Sequence, residues 1–176
     1  MTSVASNPTV TVVPAPPERQ PALANLFQLY AHDFSEFAGD PGPFSLDEDG
    51  RFAPYPWLDA YWTEPGRSAW LIRADDRLAG FALINAISPR GAAVDHNMAE
   101  FFIARPWRRA GVGSQAAQAL ISRHRGSWEV AVARRNQPAL MFWRRVAAET
   151  PGVSALEESE HHASDWDGPI LSFRSG

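Results

Sequence analysis

The chain has no cysteine, and it has no lysine either, since all sixteen of its basic residues are arginine. Without cysteine there is no disulfide framework and no catalytic thiol, so any group transfer must run by direct attack or through another nucleophile. Without lysine the nucleotide-triphosphate loop is excluded, because that loop needs a lysine to reach the phosphates. No apolar run approaches the ~20 residues needed to span a membrane. Met1–Pro17 has neither a charged leader nor an apolar stretch of signal type, so a cytoplasmic protein is expected.

What the chain does have is core-forming material. Its 176 residues are 45% hydrophobic and 11% aromatic, with seven Trp and ten Phe. That rules against disorder and predicts one domain over 1–176, with residues 1–8 as a flexible lead. The net charge of −4 hides a division. Between Ala31 and Glu64 stand Asp33, Glu36, Asp40, Asp47, Glu48, Asp49, Asp59 and Glu64, opposed only by Arg51. Between Phe101 and Arg145 the arginines at 105, 108, 109, 123, 125, 134, 135, 144 and 145 face a single acid, Glu129. The split suggests an anionic ligand on the C-terminal half and a cationic one towards the N-terminal half, against the plainer reading of solvated surface charge. An acidic chain whose arginines gather around one motif disfavours nucleic acid.

Thr9–Val13 is β-branched and predicts a first strand. Leu23, Leu26, Phe27 and Tyr30 recur at helical spacing and predict a helix within Glu18–Phe37. Gly39–Gly50 is loop by its Gly, Pro and Asp content, and Pro54–Thr63 is a short helix or an aromatic turn. Ser68–Ala74 and Leu78–Ile87 flank Asp75-Asp76-Arg77 as a hairpin. Met98–Ala104 is the next strand and Gly111–Arg125 the next helix. Trp128–Ala133 follows as a strand with Trp128, Val130 and Val132 on one face. Pro138 then opens a helix capped by Asn136. Val153–Glu158 and Pro169–Phe173 are strands around a polar loop, Ser159–Gly168. The order predicts an α/β (α+β) domain, a mixed sheet of about seven strands with helices on both faces.

The densest chemistry is Phe101-Phe102-Ile103-Ala104-Arg105-Pro106-Trp107-Arg108-Arg109-Ala110-Gly111-Val112-Gly113, running into Ser114 and an alanine-rich helix. The glycines permit positive φ and close backbone approach, and the helix start offers unpaired N–H groups at the positive end of its dipole. This is an anion cradle, to which the arginines add a bidentate phosphate grip. Gly111-Val112-Gly113-Ser114-Gln115-Ala116 also satisfies the dinucleotide fingerprint. That fingerprint, however, follows a buried strand directly, whereas Arg108-Arg109 intervene, and too little chain follows to complete a doubly wound domain.

Arg108-Arg109-Ala110-Gly111-Val112-Gly113 resembles the Gln/Arg-x-x-Gly-x-Gly/Ala signature of the GNAT superfamily of acetyl-CoA-dependent N-acetyltransferases. Asn136-Gln137-Pro138-Ala139-Leu140-Met141-Phe142-Trp143 is similar to that family's Asn-x-x-Ala-x-x-Phe-Tyr helix, in the family's order. The resemblance covers roughly Thr9–Arg174 and is strongest over Met98–Val146. It implies that backbone N–H groups from Arg109 through Ala110, Gly111, Val112 and Gly113 to Ser114 hold the pyrophosphate of coenzyme A, with Arg108 alongside. It also implies that the pantetheine arm pairs with backbone at Phe102, Ile103 and Ala104 where the fourth and fifth strands splay, with Asn136 and Phe142 lining the slot. An unpaired strand edge suits the two amides of that arm. The activity implied is acetyl transfer from acetyl-CoA, as cosubstrate and with no metal, to a small-molecule or peptide amine by direct attack. A homodimer is allowed, and no nucleic acid or membrane partner is expected. The acceptor stays open among antibiotic, polyamine, amino acid and peptide N-terminus. Trp143 departs from the family's Tyr, and an indole N–H is no practical acid. A non-catalytic acyl-CoA-binding or regulatory protein is therefore the alternative, and a dinucleotide-binding oxidoreductase fragment a more distant one.

For the general base Glu100 leads, on the face of Phe102 by strand alternation, its pKa raised by desolvation between Phe101 and Phe102. An ion pair with a nearby arginine is the plainer role for it, and Asp95 and His96 are second choices. His161-His162 offers no metal-ligand spacing. Tyr30, Asp33 and Phe34, with Phe37, Tyr55, Trp57, Tyr61 and Trp62 nearby, lie where the family places its acceptor, and aromatic walls with acids suit a cationic amine.

Overall fold

A computed structural model of the chain describes residues 7–37, 44–164 and 166–176. The lead predicted over 1–8 and the loop predicted over Gly39–Gly50 lie outside the described residues at 1–6 and 39–43. In chain order the elements are β1 (Val10–Pro14), α1 (Gln20–Phe34), α2 (Ala60–Thr63), β2 (Ser68–Ala74), β3 (Arg77–Asn85) and β4 (His96–Ile103). They continue with α3 (Val112–Arg123), β5 (Gly126–Ala131), α4 (Gln137–Glu149), β6 (Val153–His162) and β7 (Asp167–Ser175). The seven strands form one sheet in the order β1-β2-β3-β4-β5-β7-β6. Every neighbouring pair is antiparallel except β4 and β5.

The sheet is buried on both faces at its centre, so β2 and β3 read as nearly continuous apolar runs. The hairpin between them turns on Asp75 and Asp76, both at positive φ (47° and 58°), a conformation that aspartate tolerates better than most residues. On one face α3 buries Val112, Ala116, Ala117, Leu120 and Ile121 as a stripe, and α4 buries Leu140, Trp143, Val146 and Ala147. Trp128 closes this core, its Nε1–H donating to the His124 carbonyl at 2.9 Å and its ring stacked on Phe173. On the opposite face Leu23, Leu26, Phe27 and Ala31 of α1 pack on Leu71, Phe81, Leu83 and Phe102.

The polar loop predicted over Ser159–Gly168 is instead mostly strand. β6 runs to His162 and pairs with β7 from Asp167 onward. β6 is an edge strand, mostly exposed, so its residues carry no apolar alternation, and pairing with β7 imposes its conformation. The helix predicted over Glu18–Phe37 is shorter, with a 3₁₀ turn at Pro17–Arg19 before it and Ser35 as its cap. Of the aromatic segment before β2, only Ala60–Thr63 is α-helical.

Candidate active site

The parallel pair at the centre of the sheet holds together only at its start. His96 faces Trp128 and Asn97 faces Glu129, and no further residues pair. Beyond that point the strands part, and the separation opens two adjoining cavities of about 690 Å³ and about 560 Å³. They share Tyr30, Phe34, Phe101, Asn136, Ala139 and Trp143 as walls.

The smaller cavity ends at the glycine turn. A 3₁₀ turn at Arg105–Trp107 leads to Arg109, at φ 63°, and then to Gly111, at φ 76°, which caps α3 in the left-handed conformation. No side chain caps α3, so its first N–H groups have no side-chain partner. Gly113 serves a different end, because a Cβ there would meet the Phe142 ring at 3.3 Å and Ile103 at 3.5 Å. Its lack of a side chain lets α3 close on α4 and β4. Asn136 caps α4, its Oδ1 accepting from the Ala139 N–H at 3.1 Å. Phe142 stacks on Phe101 with ring centres 5.8 Å apart, and Trp143 stands edge-on to both rings.

Two expectations for this end are corrected. Arg108 is no open phosphate grip: its Nε donates to the Ile103 carbonyl at 2.6 Å and its Nη2 pairs with Asp33. Arg109, by contrast, makes no hydrogen bond or ion pair among the described residues. The Ala104 N–H donates to the Ala79 carbonyl at 2.8 Å. Strand alternation then turns the peptide groups of Phe102 and Ala104 towards β3 and those of Phe101 and Ile103 towards the gap. The open edge is therefore carried by Phe101 and by the Ile103 N–H, the Ile103 carbonyl being taken by Arg108.

The larger cavity holds Glu100. The hydroxyls of Tyr30 and Tyr55 near its carboxylate favour the charged form, but burial outweighs them and pushes its pKa up to about 7. Burial and the neighbouring carboxylate hold both phenols above their ordinary range, so they stay neutral donors. Tyr55 also bonds Tyr61, whose hydroxyl accepts from Asn85 Nδ2 at 3.3 Å. Among the described residues no arginine pairs with Glu100.

Asp33 lines the smaller cavity and is held by two arginines. Arg105 reaches its Oδ1 at 2.7 Å and Arg108 takes Oδ2, and these bonds hold its carboxyl below the usual range despite partial burial. Asp33 thus ties α1 to the glycine turn. Tyr30 and Phe34 do line the cavities, in an aromatic chain with Phe27, Phe81 and Phe102. Asp95 and His96 sit at the closed end of β4, outside both cavities. Asp95 there accepts from Ser127 at 2.8 Å and His96 contacts the Arg125 carbonyl. Trp57 is exposed, and Trp62 donates to the Ala15 carbonyl. His162 meets Asp167 at 2.8 Å beside Arg134. Sequence reasoning missed Trp166, which reaches the larger cavity from the β6–β7 turn. A lone tryptophan in a Ser- and Asp-rich stretch was its only signal.

The sheet of this α/β protein is split at its one parallel pair, with an uncapped helix start at one mouth and a buried carboxylate at the other. A profile of the acetyltransferase (GNAT) family matches residues 23–147. The chain belongs to that family, whose members use acetyl-CoA as acetyl donor. Its fold is similar to that of an acetyltransferase from Thermus thermophilus, with 16% identity over 94% of this chain and 95% of the other and a TM-score of 0.63. The ribosomal L7/L12 alpha-N-protein acetyltransferase in complex with coenzyme A is also similar, with 18% identity over 94% and 92% and a TM-score of 0.57. The ribosomal-protein-S18-alanine N-acetyltransferase from Escherichia coli has 11% identity over 95% and 93% and a TM-score of 0.53. No curated protein sequence matches this one. Among the described residues no helix is long and apolar enough to cross a membrane.

Proposed function

We propose that this protein is an N-acetyltransferase in which an amine attacks acetyl-CoA directly, with Glu100 as general base. The observation that carries the reading is the position of Glu100. A carboxylate with a pKa of about 7 lies on the strand whose free edge leads to the anion cradle. The residues fit the cosubstrate. The uncapped start of α3 and Arg109 suit a pyrophosphate, and the peptide groups of Phe101 and the N–H of Ile103 suit an extended diamide. Asn136 and Phe142 flank the same cavity, which supports their place along the arm.

Acetyl-CoA supplies an activated thioester. Glu100 takes a proton from the incoming ammonium, directly or through water, and leaves the neutral nitrogen that attack requires. The tyrosines fix the carboxylate and, being neutral, do not compete for that proton. The new bond is the amide C–N and the bond broken is C–S. With Trp143 at the family's Tyr position, the thiolate takes its proton from solvent. Two fold relatives, the ribosomal L7/L12 alpha-N-protein and the ribosomal-protein-S18-alanine N-acetyltransferases, act on ribosomal proteins, which is consistent with an amine acceptor.

The test is thiol release from acetyl-CoA across an amine panel. Amine-dependent release is expected. Tight acetyl-CoA binding with no release for any amine would favour the non-catalytic acyl-CoA-binding reading, which Trp143 alone supports.

A further inference from the structure

The end of β3 carries a buried amide, Asn85, whose orientation the backbone dictates. Its Oδ1 accepts from the Ile87 N–H at 3.0 Å, and a peptide N–H can only donate, so the oxygen is fixed on that side. Asn97, its register partner on β4, donates to the same oxygen from Nδ2 at 3.0 Å. Turned the other way, Asn97 would set oxygen against oxygen. It keeps its nitrogen directed at Asn85 although its own Oδ1 is buried without a partner among the described residues. Asn85 is left with Nδ2 to give, and gives it to the Tyr61 hydroxyl of α2 at 3.3 Å.

A hydroxyl has one proton, and an oxygen that accepts from Asn85 turns that proton elsewhere. Tyr61 is buried, with its ring centre 6.3 Å from that of Tyr55, and the two phenols are coupled through their hydroxyls. Tyr55 in turn stands beside Glu100 in the larger cavity. We propose that Asn85 is a positioning residue for Glu100. By occupying the acceptor side of Tyr61 it turns the Tyr61 proton towards Tyr55, and the Tyr55 proton towards the carboxylate. A backbone N–H at the end of β3 thus sets the direction of the whole series. Each donor in such a series polarises the next, and the charge at its end gains. Tyr30 of α1 also stands beside the carboxylate, and the Arg67 guanidinium lies over the Tyr61 ring at 5.5 Å while pairing with Glu64. The bearing of this inference on catalysis rests on the reading of Glu100 as the base.

The test reads the charge itself. In the full-length protein carrying carbon-13 at its glutamate carboxyl groups, nuclear magnetic resonance follows the titration of Glu100, assigned by its loss in Glu100→Gln. Its midpoint is expected at about 7. Asn85→Ala should move that midpoint up by roughly half a unit, a fraction of what a direct hydrogen bond to the charge supplies. In the Tyr55→Phe background, where the last link is missing, the same substitution should move it by less than about 0.2 of a unit. A merely structural role gives no such dependence on Tyr55. An unmoved midpoint in Asn85→Ala overturns the inference, and so does a shift of equal size with and without the Tyr55 hydroxyl. Tyr61→Phe keeps the buried ring and removes the hydroxyl, and it replaces Asn85→Ala, with the same two outcomes, if that variant does not fold. Thiol-release kinetics tell this result apart from the mechanism. An acid limb of kcat/KM that stays in place while the carboxyl midpoint moves would count against Glu100 as base and leave the role of Asn85 towards its charge standing.

Discussion

In the proposed mechanism Glu100 concentrates the chemistry in one ionisation. As base it must be deprotonated, so kcat/KM should fall on acidification with a midpoint near 7. Glu100→Gln keeps the size of the side chain and removes its charge. It should lower kcat/KM by roughly two to four decades and abolish that acid limb, with coenzyme A affinity intact. The same shift has a sign in stability. A folded-state pKa above the unfolded value means that the native protein binds the proton more tightly. The penalty for ionised Glu100 is thus absent below about pH 4 and fully present above about pH 7. Glu100→Gln should therefore stabilise the protein at pH 8 by on the order of 1–2 kcal/mol given the open cavity, read as a higher melting temperature, and change it little at pH 4. A rate loss without this pH-dependent stabilisation would mean that the carboxylate is not desolvated. Tyr55→Phe tests the positioning of the base. Its hydroxyl favours the charged form, so its removal should move the acid limb of kcat/KM to higher pH, whereas a purely structural role would lower the rate at all pH values alike.

At the scale of elements, the β4–α3 turn holds in one strained residue, Arg109, an arginine without a partner among the described residues. Arg109 occupies the left-handed region, which costs a side-chain-bearing residue roughly 1 kcal/mol. Arg109→Gly relieves that cost and adds about as much chain entropy to the unfolded state. Its melting temperature should stay within a few degrees of the wild type. Coenzyme A affinity, measured by calorimetry, should nonetheless fall about tenfold or more, the share of one charge-assisted bond to phosphate. Unchanged affinity would place the pyrophosphate elsewhere. This turn and the Asn136 cap were legible in the sequence because their chemistry is local: glycine for positive φ, and an amide side chain three residues before the N–H it caps. Asp33 was not legible as a clamp, because its partners lie 72 and 75 residues further on. Nothing in the run of acids around it distinguishes it from Glu36. β6 was half lost for the opposite reason, because an exposed edge strand takes its conformation from its neighbour and carries no pattern of its own.

For the whole molecule, the decisive property is that a seven-stranded sheet stays continuous while its central parallel pair separates. Antiparallel pairing on both flanks, β3 with β4 and β5 with β7, holds the two strands where they part. The gap is thus built into a frame, and in the proposed reading the peptide groups of Phe101 and the N–H of Ile103 receive a ligand that supplies the missing strand. Coenzyme A at about a hundred times its Kd should add roughly 2.7 kcal/mol of stability. For a chain of this size that is a rise in melting temperature of about 5–10 °C. NADH should give no such rise. The alternation along β4 makes the prediction specific by residue. In the free protein the amides of Phe101 and Ile103 should exchange with solvent ahead of those of Phe102 and Ala104, whose peptide groups face β3. Saturation with coenzyme A should slow exchange at Phe101, Ile103 and the first turn of α3, and leave Phe102, Ala104 and the β2–β3 hairpin unchanged. Amide exchange followed by nuclear magnetic resonance resolves these neighbours individually. Protection gained at Phe102 and Ala104, with none at Phe101 and Ile103, would mean that the ligand does not complete the sheet along this edge, and the gap between β4 and β5 would need another occupant.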